Sequence, residues 1–153
     1  MKKIKIFSLF ACLIMLLTVT GCSKKSITTE EFINKSKSFS YETQDASSQF
    51  ANYSAIKKAT IALSSKGYQV EFYELDSDEN AISLFNSNKT RFENVKTSGA
   101  IETKYSVGNT STYSLTSGNK YMYIARVDKT FLYLSVDSSY KNEVKKFVKD
   151  IGY

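Results

Sequence analysis

The spacing of apolar residues changes period several times along the chain, and each change marks an element. Residues 6–17 form a mostly apolar, uncharged run behind Lys2, Lys3 and Lys5. The run is shorter than the roughly 20 residues a membrane-spanning helix requires. Ile27-Thr28-Thr29-Glu30-Glu31-Phe32 then spells a helix start, in which Thr28 caps the third amide, Glu31 returns the bond and Ile27 staples onto Phe32. That start predicts a helix over 29–37. A short strand is predicted over 38–42, with Phe39 and Tyr41 on one face, and a loop over 45–54.

Residues 56–63 alternate, Ala59, Ile61 and Leu63 against Lys58 and Thr60. After the turn Ser64-Ser65-Lys66-Gly67, residues 68–75 return with Val70 and Phe72 inward, which predicts a hairpin. Asp76-Ser77-Asp78-Glu79 opens a second helix with acids at the positive end of its dipole, and Ala81, Ile82, Phe85 and Phe92 supply its apolar stripe. One or two short strands over 101–117 surround Gly108-Asn109, and Gly118-Asn119 makes the next turn. Residues 120–127 and 130–136 form the clearest hairpin, around Asp128-Lys129. A last helix over 139–151 buries Tyr140, Val144, Phe147, Val148 and Ile151.

These elements predict an α+β domain over residues 27–153: an antiparallel sheet of about five to seven strands with helices packed mainly on one face, a two-layer sandwich. Residues 56–94 and 120–151 each read hairpin, aspartate, helix. Phe72-Tyr73-Glu74-Leu75-Asp76-Ser77 echoes Tyr133-Leu134-Ser135-Val136-Asp137-Ser138. A ββα duplication is one reading. Ordinary strand-to-helix grammar, with Asp and Ser as N-caps, is the other.

The leader bears on location. Basic residues, an apolar stretch and then small residues ending at Gly21 and Cys22 follow the order of a secretory signal. Val19-Thr20-Gly21-Cys22 resembles the lipobox of bacterial lipoprotein precursors. The resemblance covers only the leader, residues 1–21 and the cysteine after it. It implies diacylglyceryl transfer to the Cys22 sulfur, cleavage between Gly21 and Cys22, and a lipid-anchored protein on the extracytoplasmic side of the cell membrane. Two acyl chains hold a protein stably where one holds it marginally. Residues 22–26 then form the lipidated tether, and its short reach keeps the domain at the membrane surface.

Composition narrows the chemistry. Loss of the leader would remove three lysines, leaving 18 basic residues against 15 acids, so the net charge falls from +6 to +3. No nucleic-acid partner is expected from so small a surplus outside the cytoplasm. Only Cys22 would remain of the two cysteines, so no disulfide supports the exported domain. Arginine occurs only at Arg91 and Arg126 among 21 basic residues, which reads as the coding bias of an AT-rich genome.

Histidine is absent, which excludes a Ser-His-Asp triad, an imidazole base and a His-ligated zinc. Ser-x-x-Lys spacing occurs at Ser54/Lys57, Ser117/Lys120 and Ser138/Lys141, without the other elements of penicillin-recognising enzymes. Asp76 to Asn80 begins like a calcium loop, but Ala81 and Ser87 stand where glycine and the bidentate glutamate belong. Glu71 and Glu74 lie on opposite faces of one strand and cannot pair across a glycosidic bond. No catalytic residue, metal or cofactor is expected.

Eleven Tyr and eight Phe remain outside the leader. With Leu132, Leu134, Met122 and Ile124 directed at the helices, Tyr73, Tyr121, Tyr123, Phe131 and Tyr133 would tile an open sheet face suited to a peptide, glycan or protein partner. A filled core with Tyr73, Tyr121 and Tyr133 exposed would support that docking surface. A large apolar cavity between helices and sheet would instead indicate a carrier of small apolar ligands.

Overall fold

The computed structural model describes residues 23–153; the leader, Gly21 and Cys22 lie outside the described residues. Helix α1 (Thr29–Ser38) starts as its sequence predicts: Glu31 N–H donates to Thr28 Oγ1 at 3.2 Å, and Thr28 N–H donates to Glu31 Oε2 at 2.8 Å. Strand β1 (Glu42–Asp45) begins at the end of the segment predicted as strand, because residues 39–41 turn the chain, with Ser40 at φ 60. Phe39 and Tyr41 still pack against the core. A 3₁₀ turn (Ser47–Phe50) leads to β2 (Ile56–Leu63), β3 (Gln69–Leu75), α2 (Asp78–Asn94), β4 (Ile101–Val107), β5 (Thr110–Ser117), β6 (Lys120–Val127) and β7 (Thr130–Asp137). Helix α3 (Lys141–Asp150) follows a second 3₁₀ turn and ends at Gly152, φ +87, whose N–H donates to Lys149 O while Tyr153 N–H donates to Val148 O. That pair of bonds satisfies the last carbonyls of the helix.

All seven strands join one antiparallel sheet in the order β1-β2-β3-β7-β6-β5-β4. Strands β1 to β3 form one meander and β4 to β7 another. Helix α2 carries the chain across the sheet to the far edge, so that the second meander returns β7 beside β3. The fold is therefore α+β with a seven-stranded sheet.

The helices do not gather on one face. Val70, Phe72, Tyr121, Ala125, Leu132, Leu134 and Val136 pack with Phe32 of α1 and Val144, Phe147 and Val148 of α3. Tyr73, Leu75, Tyr113, Leu115, Met122, Ile124 and Phe131 pack with Ala81, Phe85 and Phe92 of α2. Successive residues of a strand point to opposite faces, so α1 and α3 cover one face and α2 the other. Both sides of β3, β6 and β7 are apolar, and a two-layer arrangement would leave one of them in water. Each fully buried Phe or Leu contributes roughly 1.5–3 kcal/mol, which favours a second covering helix.

The echo between the hairpin-helix segments does not extend to their placement. Leu75 and Val136 occupy matching positions at the strand ends, yet Leu75 joins the core under α2 and Val136 the core under α3. Each helix folds back over its own last buried strand residue. The pairing of Val70 with Leu134 then sets those residues on opposite faces, whereas two copies of one unit would lay both helices on the same side.

Candidate functional site

The five aromatic residues expected on an open sheet face are divided between two covered ones. Tyr123 lies opposite Leu134 and Tyr121 opposite Val136, so both share the face under α1 and α3. Tyr73, Phe131 and Tyr133 lie on the face under α2. Tyr121 is 4% exposed, Tyr73 8% and Phe131 1%; Tyr123 and Tyr133 are half-buried. Burial raises the Tyr121 hydroxyl to about 12. It also raises the Tyr73 hydroxyl, which donates to Glu71. These rings build the core rather than a docking surface. The exposed large apolar residues of the sheet are instead Ile101, Tyr105 and Val107, all on edge strand β4.

The space between α1, α3 and the sheet is filled by ring contacts. Phe32 stacks on Phe72 with centroids 4.9 Å apart, and Phe147 meets Phe32, Phe39 and Tyr41 at 6.0, 5.2 and 4.9 Å. These rings occupy the centre of that layer, and the space left beside them, about 210 Å³ between α1 and strands β1 and β2, is lined mostly by polar residues, among them Thr29, Thr43, Gln44 and Lys58.

The remaining sequence candidates take structural positions. Ser117 Oγ accepts from Thr97 N–H at 2.9 Å and donates to the Val95 carbonyl at 3.2 Å, fastening the connector after α2. Lys141 Nζ donates to Thr116 rather than to Ser138. Asn80 Nδ2 donates to Asp76 Oδ1 at 2.7 Å, and Ser77 caps α2. Glu74 accepts from Thr29 N–H at 2.6 Å on the face opposite Glu71. Among the described residues no cluster of acids suited to a metal ion occurs.

Two features do suggest function. The first is the tether, which is held against the fold. Lys24 N–H donates to Asn109 Oδ1 at 3.0 Å and Asn109 Nδ2 donates back to Lys24 O at 2.7 Å, while the same amide group reaches Asp128 Oδ1 at 2.8 Å. The Lys24 ammonium sits 5.9 Å from the centre of the Tyr153 ring, and burial lowers its affinity for a proton. Only Ser23 separates Cys22 from this clamp.

The second is a groove of about 360 Å³ between α2 and strands β4 to β6, lined by Ile82, Phe85, Lys104, Ser111, Tyr113 and Arg126 among others. Arg126 is 7% exposed. It lies between Ser111 and Phe131 in neighbouring strands. Among the described residues its side chain makes one hydrogen bond, a long one from Nη1 to the Asp128 carbonyl at 3.4 Å. Above it runs a chain of ion pairs: Lys89 to Glu93 at 3.6 Å, Lys104 to Glu93 at 3.5 Å, Lys104 to Glu102 at 3.2 Å and Lys96 to Glu102 at 3.0 Å. Hydrogen bonds from Lys96 and Lys104 hold the Glu102 carboxyl down at about 2. Burial, and then donation to Glu102 at 3.2 Å, raises Tyr113 to about 12.

Reading arginine as coding bias misses Arg126. Its signal is position, since it is the one charge inside the apolar stretch from Tyr121 to Val127. A charge there has either a partner or a purpose. Compared with known proteins, the chain matches no family model, no curated protein and no solved structure.

Proposed function

We propose that this chain is a lipid-anchored, non-catalytic binding module on the outer face of the cytoplasmic membrane. The observation that carries the reading is the clamp of Lys24 on Asn109, one residue after the cysteine of the lipobox-like motif. A diacylglyceryl group on Cys22 would draw the turns at 108–109 and 128–129 down to the bilayer. Lys25 and Lys129 are exposed at that end, but so are Asp76, Asp78 and Glu79. Attachment therefore relies on acyl chains rather than on attraction to anionic lipid.

Cys22→Ser tests the anchor. The natural chain is expected to take up labelled fatty acid and to leave the membrane fraction only with detergent. The Cys22→Ser chain is expected to stay unlabelled, retained uncleaved or shed into the medium. Equal labelling of both chains would overturn the reading.

A further inference from the structure

We infer that the groove between α2 and β4 to β6 is a binding site for a small amphipathic anion, a single carboxylate or phosphate head on a short apolar body, with Arg126 as the residue that takes the head. This rests on reading the chain as a binding module. A guanidinium carries five N–H donors. The donors of Arg126 that the fold leaves unbonded open into the groove, since among the described residues the buried side-chain polar atom without a partner is Thr29 Oγ1. Among the described residues, no carboxylate is in ion-pair range of Arg126, and its one bond, to the Asp128 carbonyl, leaves the other donors for the groove. A planar, forked donor matches a carboxylate or phosphate with two parallel bonds.

The rest of the groove limits the size and charge of the ligand. Lys89 and Lys104 are already engaged by Glu93 and Glu102, so the uncompensated charge is that of one arginine. A polyanion would have to break the network. Ile82, Phe85 and Tyr113 give the body of the ligand apolar contact, and the volume lies at the lower end of the range for small-molecule sites. Ser111, beside Arg126, offers a hydroxyl to the same head, although it already shares a hydrogen bond with Ser106 at 3.0 Å.

The test is calorimetric titration of the full chain in a non-ionic detergent with benzoate, phenyl phosphate, inorganic phosphate and neutral benzamide. Benzoate or phenyl phosphate is expected to saturate a single site, with inorganic phosphate weaker for lack of a body and benzamide silent. Whichever aromatic anion binds more tightly identifies the head. Arg126→Met is expected to weaken binding about tenfold or more, the usual effect of losing a charged hydrogen-bond pair. Should that variant fail to fold, Ile82→Asp, at a position 43% exposed on α2, places a repelling charge on the groove wall and is expected to weaken the same titration with the fold intact. Absence of saturation by either aromatic anion, equal binding of benzamide, or binding unchanged in both variants would overturn the assignment. The titration does not depend on the state of Cys22, and fatty-acid labelling does not depend on the groove, so the two readings fail separately.

Discussion

At the scale of single residues, the turns decide which side chains share a face. The hairpins at 108–109, 118–119 and 128–129 each join their strands through two residues, and the first of the two has a positive φ: Gly108 at 56, Gly118 at 56 and Asp128 at 48. Glycine adopts that backbone freely, whereas a side chain there costs roughly 1–2 kcal/mol. No atom lies within 4 Å of where a Cβ on Gly118 would be, so Gly118→Ala isolates the backbone effect. It is expected to destabilise the fold by about 1 kcal/mol, lowering Tm by about 3–5 °C in a thermal melt; an unchanged Tm would contradict the strain at this turn. The same turns make part of the aromatic correction legible. With Asp128-Lys129 as the whole loop, Val127 must face Thr130 and Tyr123 must face Leu134, and directly opposed residues lie on one side of a sheet. Counting back from the turn separates Tyr121 and Tyr123 from Phe131 and Tyr133, a step that alternation within each strand does not supply.

At the scale of elements, two patterns in the strands differ in what they disclose. Strand β5 alternates, Tyr113 and Leu115 buried against half-buried Thr112, Ser114 and Thr116, and covering one of its faces is enough. Strands β6 and β7 are almost continuously apolar, and burial on both faces is what such runs require. That signal for a third layer lies in the sequence. Which helix supplies the layer does not, because it depends on the pairing of β3 with β7. Strand β4 is exposed at every position and is fastened by charges, Lys104 to Glu93 of α2 and Glu102 to Lys96 of the connector after it. Since the folded Glu102 carboxyl titrates below its ordinary value, its stabilising effect is present above about pH 4.5 and lost as pH falls towards about 2. The protection of β4 amides, taken relative to their intrinsic exchange rate at each pH, is therefore expected to fall across that window in the natural chain. In Glu102→Gln that protection should already be low at neutral pH and change much less with acid. Identical acid profiles in the two chains would contradict the tie.

At the scale of the whole molecule, the described residues contain neither cysteine nor proline, and their stability comes from two aromatic cores on either side of one sheet. Tyr113 and Tyr121 are held up to about 12 by burial, and burial raises Tyr68, Tyr123 and Tyr153 as well. A hydroxyl whose folded value lies above its unfolded value of about 10 stabilises the fold fully below that pH and loses its effect as pH rises through the folded value. Alkaline titration followed by ultraviolet absorbance is thus expected to show fewer than eleven tyrosines ionising near pH 10. The remainder should appear nearer pH 12 together with loss of circular dichroism. Ionisation of all eleven near pH 10 with the fold intact would refute the burial of these rings. The sequence alone determined the helices, the strands from β2 onward, the capping box of α1 and the hairpin turns, because they depend on contacts between residues a few positions apart, such as Thr28 with Glu31 and Gly118 with Asn119; it misplaced β1 by several residues and put the cap of α2 at Asp76 rather than at Ser77. The covering of both sheet faces by particular helices, the clamp of Lys24 on Asn109 and the groove floored by Arg126 were decided only by tertiary structure. Each joins positions far apart in sequence, and for the covered faces and the groove a one-residue change of strand register would move the side chains to the opposite face.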